Sequence, residues 1–242
     1  KRHGAHILSI VRSWDNPTSR GYSWRPVDHV FTWTQVMTDE VVRFHDVPRK
    51  IVETVGIPGW DNYFNGSQVP DRRSFMDSFG MSPGRKIIYF ATGGPNLFRN
   101  NMVVARDVLE AVRDGRIHES AQLLIRLHPA LESPEDSKWG KVAKREIEEL
   151  ARLEEEFQEL VAVSRNSIAN PAGSFILKRS NQSDIKNILT YSDVLITIYS
   201  TQMIEGAIFD VPIINAGYAP YRDWDVPASI MEKYDHIQRI NQ

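Results

Sequence analysis

Apolar and polar residues alternate along this chain in blocks with two different periods, one suited to strands and one to helices. VLITIY, Val194 to Tyr199, is β-branched and apolar on both alternating faces, as a strand is when helices cover both sides of a parallel sheet. Similar short runs are HILSIV (His6 to Val11), HVFTW (His29 to Trp33), KIVETVG (Lys50 to Gly56), RKIIYFAT from Arg85, LLIRLHP (Leu123 to Pro129) and FILKR from Phe175. Between them the apolar spacing becomes helical. Val36, Met37, Val41, Val42 and Phe44 recur at helical spacing in QVMTDEVVRFH, and Val103, Val104, Val108, Leu109 and Val112 are read as the inward stripe of a helix over Asn101 to Arg113. The pattern predicts further helices over Asp71 to Phe79, Ser137 to Val163 and SDIKNILTYSD. In the second of these, Ile147, Leu150, Leu153, Phe157 and Leu160 form the inward face and glutamates a solvated one. Strand and helix in alternation predict an α/β chain, a Rossmann-like doubly wound parallel sheet.

The loop from Ile57 to Pro70, rich in Gly, Pro and Asn, breaks this alternation and marks a boundary. Residues 1–70 are read as the end of an amino-terminal unit with its linker, and 71–242 as a carboxyl-terminal unit carrying the main sheet. Composition then narrows the chemistry. With 41% hydrophobic and 25% charged residues and a net charge of −2, the balance is that of a globular domain without a positive field for nucleic acid. Any bound phosphate must be held locally. The chain has no cysteine, which excludes disulfides, thiolate metal sites and a cysteine nucleophile. No apolar run approaches the about 20 residues that span a bilayer.

In an open parallel sheet, ligands gather beyond the carboxyl ends of the strands, where loops and helix starts converge. Three polar turns fall at such ends: Thr92-Gly93-Gly94, His128-Pro129 and Ser200-Thr201. The glycines permit positive φ and a close approach of backbone to an anion, and His128 can donate to a phosphate oxygen. Arg126 lies two residues before His128 and so on the same side of its strand. Ser200 and Thr201 stand where a helix begins, and Glu205, one turn further, can accept from vicinal sugar hydroxyls. Each feature also has a purely structural reading: a turn, a hydrogen-bonded histidine, an arginine paired with a carboxylate, a helix cap. The Gly-Gly turn is neither a G-K-[ST] loop nor a G-x-G-x-x-G fingerprint, which removes the usual support for ATPase and dehydrogenase activities.

RLHP from Arg126, DIKNILTYSDVLITIYSTQMIEGAIFDVPIIN from Asp184 and SWDNPTSRG from Ser13 together resemble bacterial GT-B glycosyltransferases that build surface polysaccharide. Related families are the CDP-glycerol glycerophosphotransferases and, more distantly, the UDP-N-acetylglucosamine 2-epimerases. The resemblance implies two facing Rossmann-like domains, the carboxyl-terminal one holding the donor nucleotide. It implies that His128 contacts the donor phosphates, that amides around Ser200, Thr201 and Gln202 cradle them, and that Glu205 binds the ribose; the strand-end reading adds Gly93, Gly94 and Arg126 to the phosphate site. It puts Trp14, Asp15, Asn16 and Ser19 on the acceptor side of the cleft, although Trp14 as core and Asp15 to Ser19 as a capped turn is an equal reading. Asp15 is a candidate base by location alone, and no catalytic residue is assigned.

Where the glycerophosphotransferases carry Asp-Tyr-Ser-Ser, this chain has Ile198, Tyr199, Ser200 and Thr201. With Glu205, that departure favours a sugar donor. The expected activity is transfer of a sugar from a nucleotide sugar to a glycan or lipid-linked acceptor, with no metal and no cofactor beyond the donor substrate. Alternatives are glycerophosphate transfer, 2-epimerisation and an inactive nucleotide-sugar-binding module. The expected partners are the nucleotide sugar and its acceptor, and no nucleic acid. A longer amino-terminal sheet is usual in these enzymes, so the resemblance implies a fragment or reduced relative, completed by a missing amino-terminal domain or a second copy. The expected place is the cytoplasm, with room for peripheral contact at the inner membrane face.

Overall fold

The structure is a computed structural model that describes residues 4–19, 27–66, 68–95, 98–117, 120–132, 140–166 and 180–217. The chain divides into two compact units, one containing Lys1–Gly66 and the other spanning Ser67–Val226.

In the first unit β1 (Leu8–Ile10), β2 (His29–Thr32) and β3 (Val52–Thr54) form a parallel sheet in that order. The predicted third strand is shorter than expected because Arg49–Ile51 closes a 3-10 turn before pairing begins. Helix α1 (Asn16–Ser19) follows β1, and α2 (Gln35–His45) packs on β2 and β3. Thr34 starts α2: its hydroxyl accepts the Met37 N–H at 3.3 Å, one of the donors that lack an intrahelical partner. Met37 and Val41 then bury their side chains along with Val30 and Val52 of the sheet.

In the second unit α3 (Arg72–Ser78) precedes β4 (Lys86–Ala91), α4 (Asn101–Arg113), β5 (Ala121–Arg126), α5 (Gly140–Glu156), β6 (Val161–Ser164), α6 (Ser180–Tyr191), β7 (Val194–Thr197), α7 (Gln202–Ile208) and β8 (Ile213–Asn215). The strands form one parallel sheet, β6-β5-β4-β7-β8. From β4 the chain winds outward to β5 and β6, then returns to the other flank of β4 for β7 and β8. Side-chain alternation sorts the two faces. Ile88 and Phe90 of β4 join the core with Leu109 of α4 and Leu150 and Leu153 of α5. Ile87, Tyr89 and Ala91 face the opposite core with Phe75 and Met76 of α3 and Ile188 of α6. Helices on both faces of a parallel sheet make this the expected doubly wound, Rossmann-like α/β fold.

One predicted element splits in two. The helix expected over Ser137 to Val163 stops at Glu156, and Val161–Ser164 becomes β6, paired with β5. Phe157 and Leu160 misled the periodicity because both pack into the core beneath α5, as helical residues there would. The carbonyl of Leu160 already accepts from Leu123 N at 2.7 Å, so the strand ladder starts where the helical stripe seemed to continue. The strand expected to reach Tyr199 ends at Thr197. FILKR, Arg20 and Gly21 lie outside the described residues.

Candidate functional site

The reversal of strand order falls between β4 and β7, the place where loops leave in opposite directions and a crevice opens at the carboxyl edge. Ala91 of β4 stands in register with Arg126 of β5 on one side and Thr197 of β7 on the other. The turns that follow these three residues therefore emerge at one edge. Hydroxyls lock them together. Thr92 N donates to the Arg126 carbonyl at 3.1 Å, and the Thr92 hydroxyl accepts from His128 N at 2.8 Å. Across the switch, the Thr197 hydroxyl donates to the Ala91 carbonyl at 3.0 Å and meets the Ser200 hydroxyl at 3.1 Å.

His128 stands exposed on this rim. Its Nδ1 accepts the Ala130 N–H at 3.0 Å, which leaves Nε2 to carry the ring proton and donate. Protein packed around the ring disfavours the imidazolium and lowers the pKa to about 4. The imidazole is therefore neutral at pH 7. Arg126, by contrast, is buried, and its guanidinium donates to the Ser164 hydroxyl at 2.7 Å and to the Asn166 side-chain oxygen at 3.3 Å.

Gly93 and Gly94 are buried at the base of the edge. The positive φ that glycine permits is not used at Gly93. A Cβ at Gly93 would sit 2.9 Å from Ile198 Cγ1 and 3.0 Å from Phe98 Cβ, so glycine is needed because the loop after β4 presses against the loop after β7. Ser200, Thr201 and Gln202 are half-buried at the start of α7, and Gln202 N donates to the Ser200 hydroxyl at 3.3 Å. Glu205 is buried one turn on, where its carboxylate accepts from Gln202 Nε2 at 2.5 Å. The Gln202 oxygen in turn accepts from Tyr89 OH at 2.9 Å. Burial pushes the Tyr89 phenol well above its ordinary pKa, so it is a neutral donor.

In the first unit Trp14 is buried core and Asp15 is half-buried. Ser13 and Ser19 both donate to the Asp15 carboxylate, and its carbonyl accepts from the amides of Thr18 and Ser19, which makes a capped turn of Asp15, Asn16 and Ser19. Sequence reasoning passed over Tyr89, Asn101, Asn166 and Thr197. Thr197 was legible as a polar residue within an apolar strand run. Asn101 and Asn166 gave no such signal, because carboxamides that hold loops have no sequence period.

Among the described residues no group of three or more His, Asp and Glu is placed to hold a metal. Asp223 and Asp225 have the Asp-x-Asp spacing associated with metal-bound diphosphates, and they lie outside the described residues. No helix among the described residues is long and apolar enough to cross a membrane.

Residues 11–225 match the profile of a family described as CDP-Glycerol:Poly(glycerophosphate) glycerophosphotransferase. No curated protein matches the chain. A solved structure of UDP-GlcNAc 2-epimerase from Methanocaldococcus jannaschii, in complex with UDP-GlcNAc and UDP, aligns with a TM-score of 0.50 at 14% identity, over 78% of this chain and 45% of that one. The wall teichoic acid polymerase TagF aligns at 0.45 and 15%, over 79% and 40%. A glycosyltransferase from Rickettsia africae ESF-5 aligns at 0.48 and 13%, over 86% and 50%. At such identities the likeness is one of fold, and this chain spans about half or less of each structure's length.

Proposed function

Because the chain belongs to the CDP-glycerol:poly(glycerophosphate) glycerophosphotransferase family, we propose that unit Ser67–Val226 binds a nucleotide-activated donor and serves transfer of its sugar to a glycan or lipid-linked acceptor. The observation that carries this reading is the register of Arg126, Ala91 and Thr197, which sets His128 and Ser200-Thr201 along one carboxyl edge at the switch between β4 and β7.

The chemistry follows from charge. An acceptor hydroxyl attacks the anomeric carbon, the bond from that carbon to the diphosphate breaks, the hydroxyl proton passes to a base or to solvent, and the nucleoside diphosphate leaves with added negative charge. The neutral His128 donates through Nε2 to a phosphate oxygen, and the amides of Ser200 and Thr201 donate to others, so the charge is met by dipoles already in place. Arg126 supports the site from beneath, its charge felt by Tyr89 and by Asp184 of α6. Glu205, held by Gln202 Nε2, supplies the carboxylate proposed for the ribose hydroxyls.

Family membership favours a second reading, with CDP-glycerol as donor. There the acceptor attacks the phosphorus bonded to glycerol, the bridging P–O bond breaks and CMP leaves. Calorimetric titration of the full chain with CDP-glycerol, UDP-sugars, CDP, UDP and GDP, with and without EDTA, tests both readings. The released nucleotide separates them, since a diphosphate marks sugar transfer and CMP marks glycerophosphate transfer. Weaker binding in His128→Ala and Glu205→Gln is expected. A chain that binds none of these nucleotides contradicts both readings.

A further inference from the structure

The buried carboxamide of Asn101 stands out from the polar groups around the edge because it grips one residue from both sides. Asn101 opens α4 and is fully buried. Its Oδ1 accepts from Gly93 N at 2.7 Å, while its Nδ2 donates to the Gly93 carbonyl at 3.2 Å and to the Phe98 carbonyl at 3.4 Å. A carboxamide carries one acceptor and one donor group, as a peptide does, so it takes the place of a neighbouring strand just where the β4 ladder ends. Gly93 is buried, and without this partner its N–H and C=O lose those bonds away from water.

Asn101 is itself braced. Glu146 of α5 is buried, and its carboxylate accepts from Met102 N at 3.2 Å while the Asn101 side chain also hydrogen-bonds it. A rigid path thus runs from α5 through the start of α4 to the turn after β4. That turn presses on Ile198, two residues before Ser200.

We infer that Asn101 is a positioning residue: by clamping Gly93 it sets the height of the turn after β4 against the loop after β7, and so the seat of the donor's diphosphate. The inference rests on the proposed donor site. Asn101 touches no ligand itself, and its effect passes through Gly93 and Ile198.

Two variants of the full chain, Asn101→Asp and Asn101→Ser, test it. Asn101→Asp keeps the shape and turns a second acceptor toward the Gly93 carbonyl, whereas Asn101→Ser shortens the side chain without adding charge. Both are titrated calorimetrically with CDP and UDP at a temperature where circular dichroism shows them folded, beside Val112→Ala, a buried-core change at the other end of α4. The expected result is a dissociation constant raised about tenfold or more in whichever Asn101 variant folds, with Val112→Ala at the wild-type value. A merely structural role lowers the melting temperature of all three and leaves their dissociation constants alike, which overturns the inference while the donor site stands. A wild-type chain that binds neither CDP nor UDP overturns the donor site and the inference with it.

Discussion

The backbone N–H of His128 donates to the hydroxyl of Thr92 at 2.8 Å, tying the turn after β5 to the turn after β4. Thr92 is buried while His128 lies on the exposed rim, so the bond is partly sheltered from water. Thr92→Val keeps the shape and strands the His128 amide, which costs about 1–3 kcal/mol. Urea unfolding is expected to show that loss for Thr92→Val and little of it for Thr92→Ser, which keeps the hydroxyl. Equal stability of the valine variant and the wild type would show that the tie is not made in solution.

His128 sets a pH dependence of known sign. Its folded pKa is lowered to about 4 from an ordinary 6.5, so between those values the unfolded chain takes up a proton that the folded chain refuses. Its contribution to stability is present above pH 6.5 and falls away as the pH drops toward 4. Imidazole C–H resonances followed by NMR are expected to give a midpoint well below 6 for His128. A midpoint near 6.5 would mean that the ring is neither crowded nor held by the Ala130 amide.

Glu146 runs the other way. Burial raises its pKa to about 7 from 4.5, against the amide of Met102 and the Asn101 side chain, which favour the carboxylate. Its contribution is full below pH 4.5 and is lost as the pH rises through 7. Glu146→Gln keeps an acceptor for Met102 N and removes the titration. The variant is expected to gain on the order of 1–3 kcal/mol over wild type at pH 8 and to match it near pH 4. A wild-type advantage at pH 8 would contradict the burial argument.

Gly93 and Ile198 are expected to show a coupled response. Gly93→Ala places a methyl group against Ile198 and Phe98, and overpacking of this kind costs about 1–3 kcal/mol. Ile198→Ala opens the space. In a double-mutant cycle followed by urea unfolding, the pair is expected to lose less than the sum of the single losses. Strict additivity would mean that the two loops do not press together.

The doubly wound sheet was legible because β4, β5 and β7 are buried on both faces and leave unbroken apolar runs. Gln35–His45 and Asn101–Arg113 appeared with the observed bounds because one face of each is core. β6 was missed because four residues are too short to show a period of two beside a strong helical stripe. The edge holding Thr92, His128 and Ser200 followed from topology, since polar residues ending apolar runs mark strand ends. What lies beneath that edge did not follow. The Asn101 clamp and the Tyr89-Gln202-Glu205 chain depend on which side chains the packing brings together, and neither Gly93 with Asn101, 8 residues apart, nor Tyr89 with Gln202, 113 apart, leaves a sequence trace of it. Gly93 was read for its backbone freedom, and the structure gives close packing against Ile198 as the reason instead.

If the turns after β4, β5 and β7 together hold the donor's diphosphate, hydrogen–deuterium exchange of the full chain, with and without saturating CDP or UDP, reads that contact at each turn. Slowed exchange is expected in peptides covering residues 92–95, 127–130 and 200–205, with little change in β6 or in unit Lys1–Gly66. Protection by bound nucleotide that leaves all three turns unchanged and falls elsewhere in the chain would contradict it.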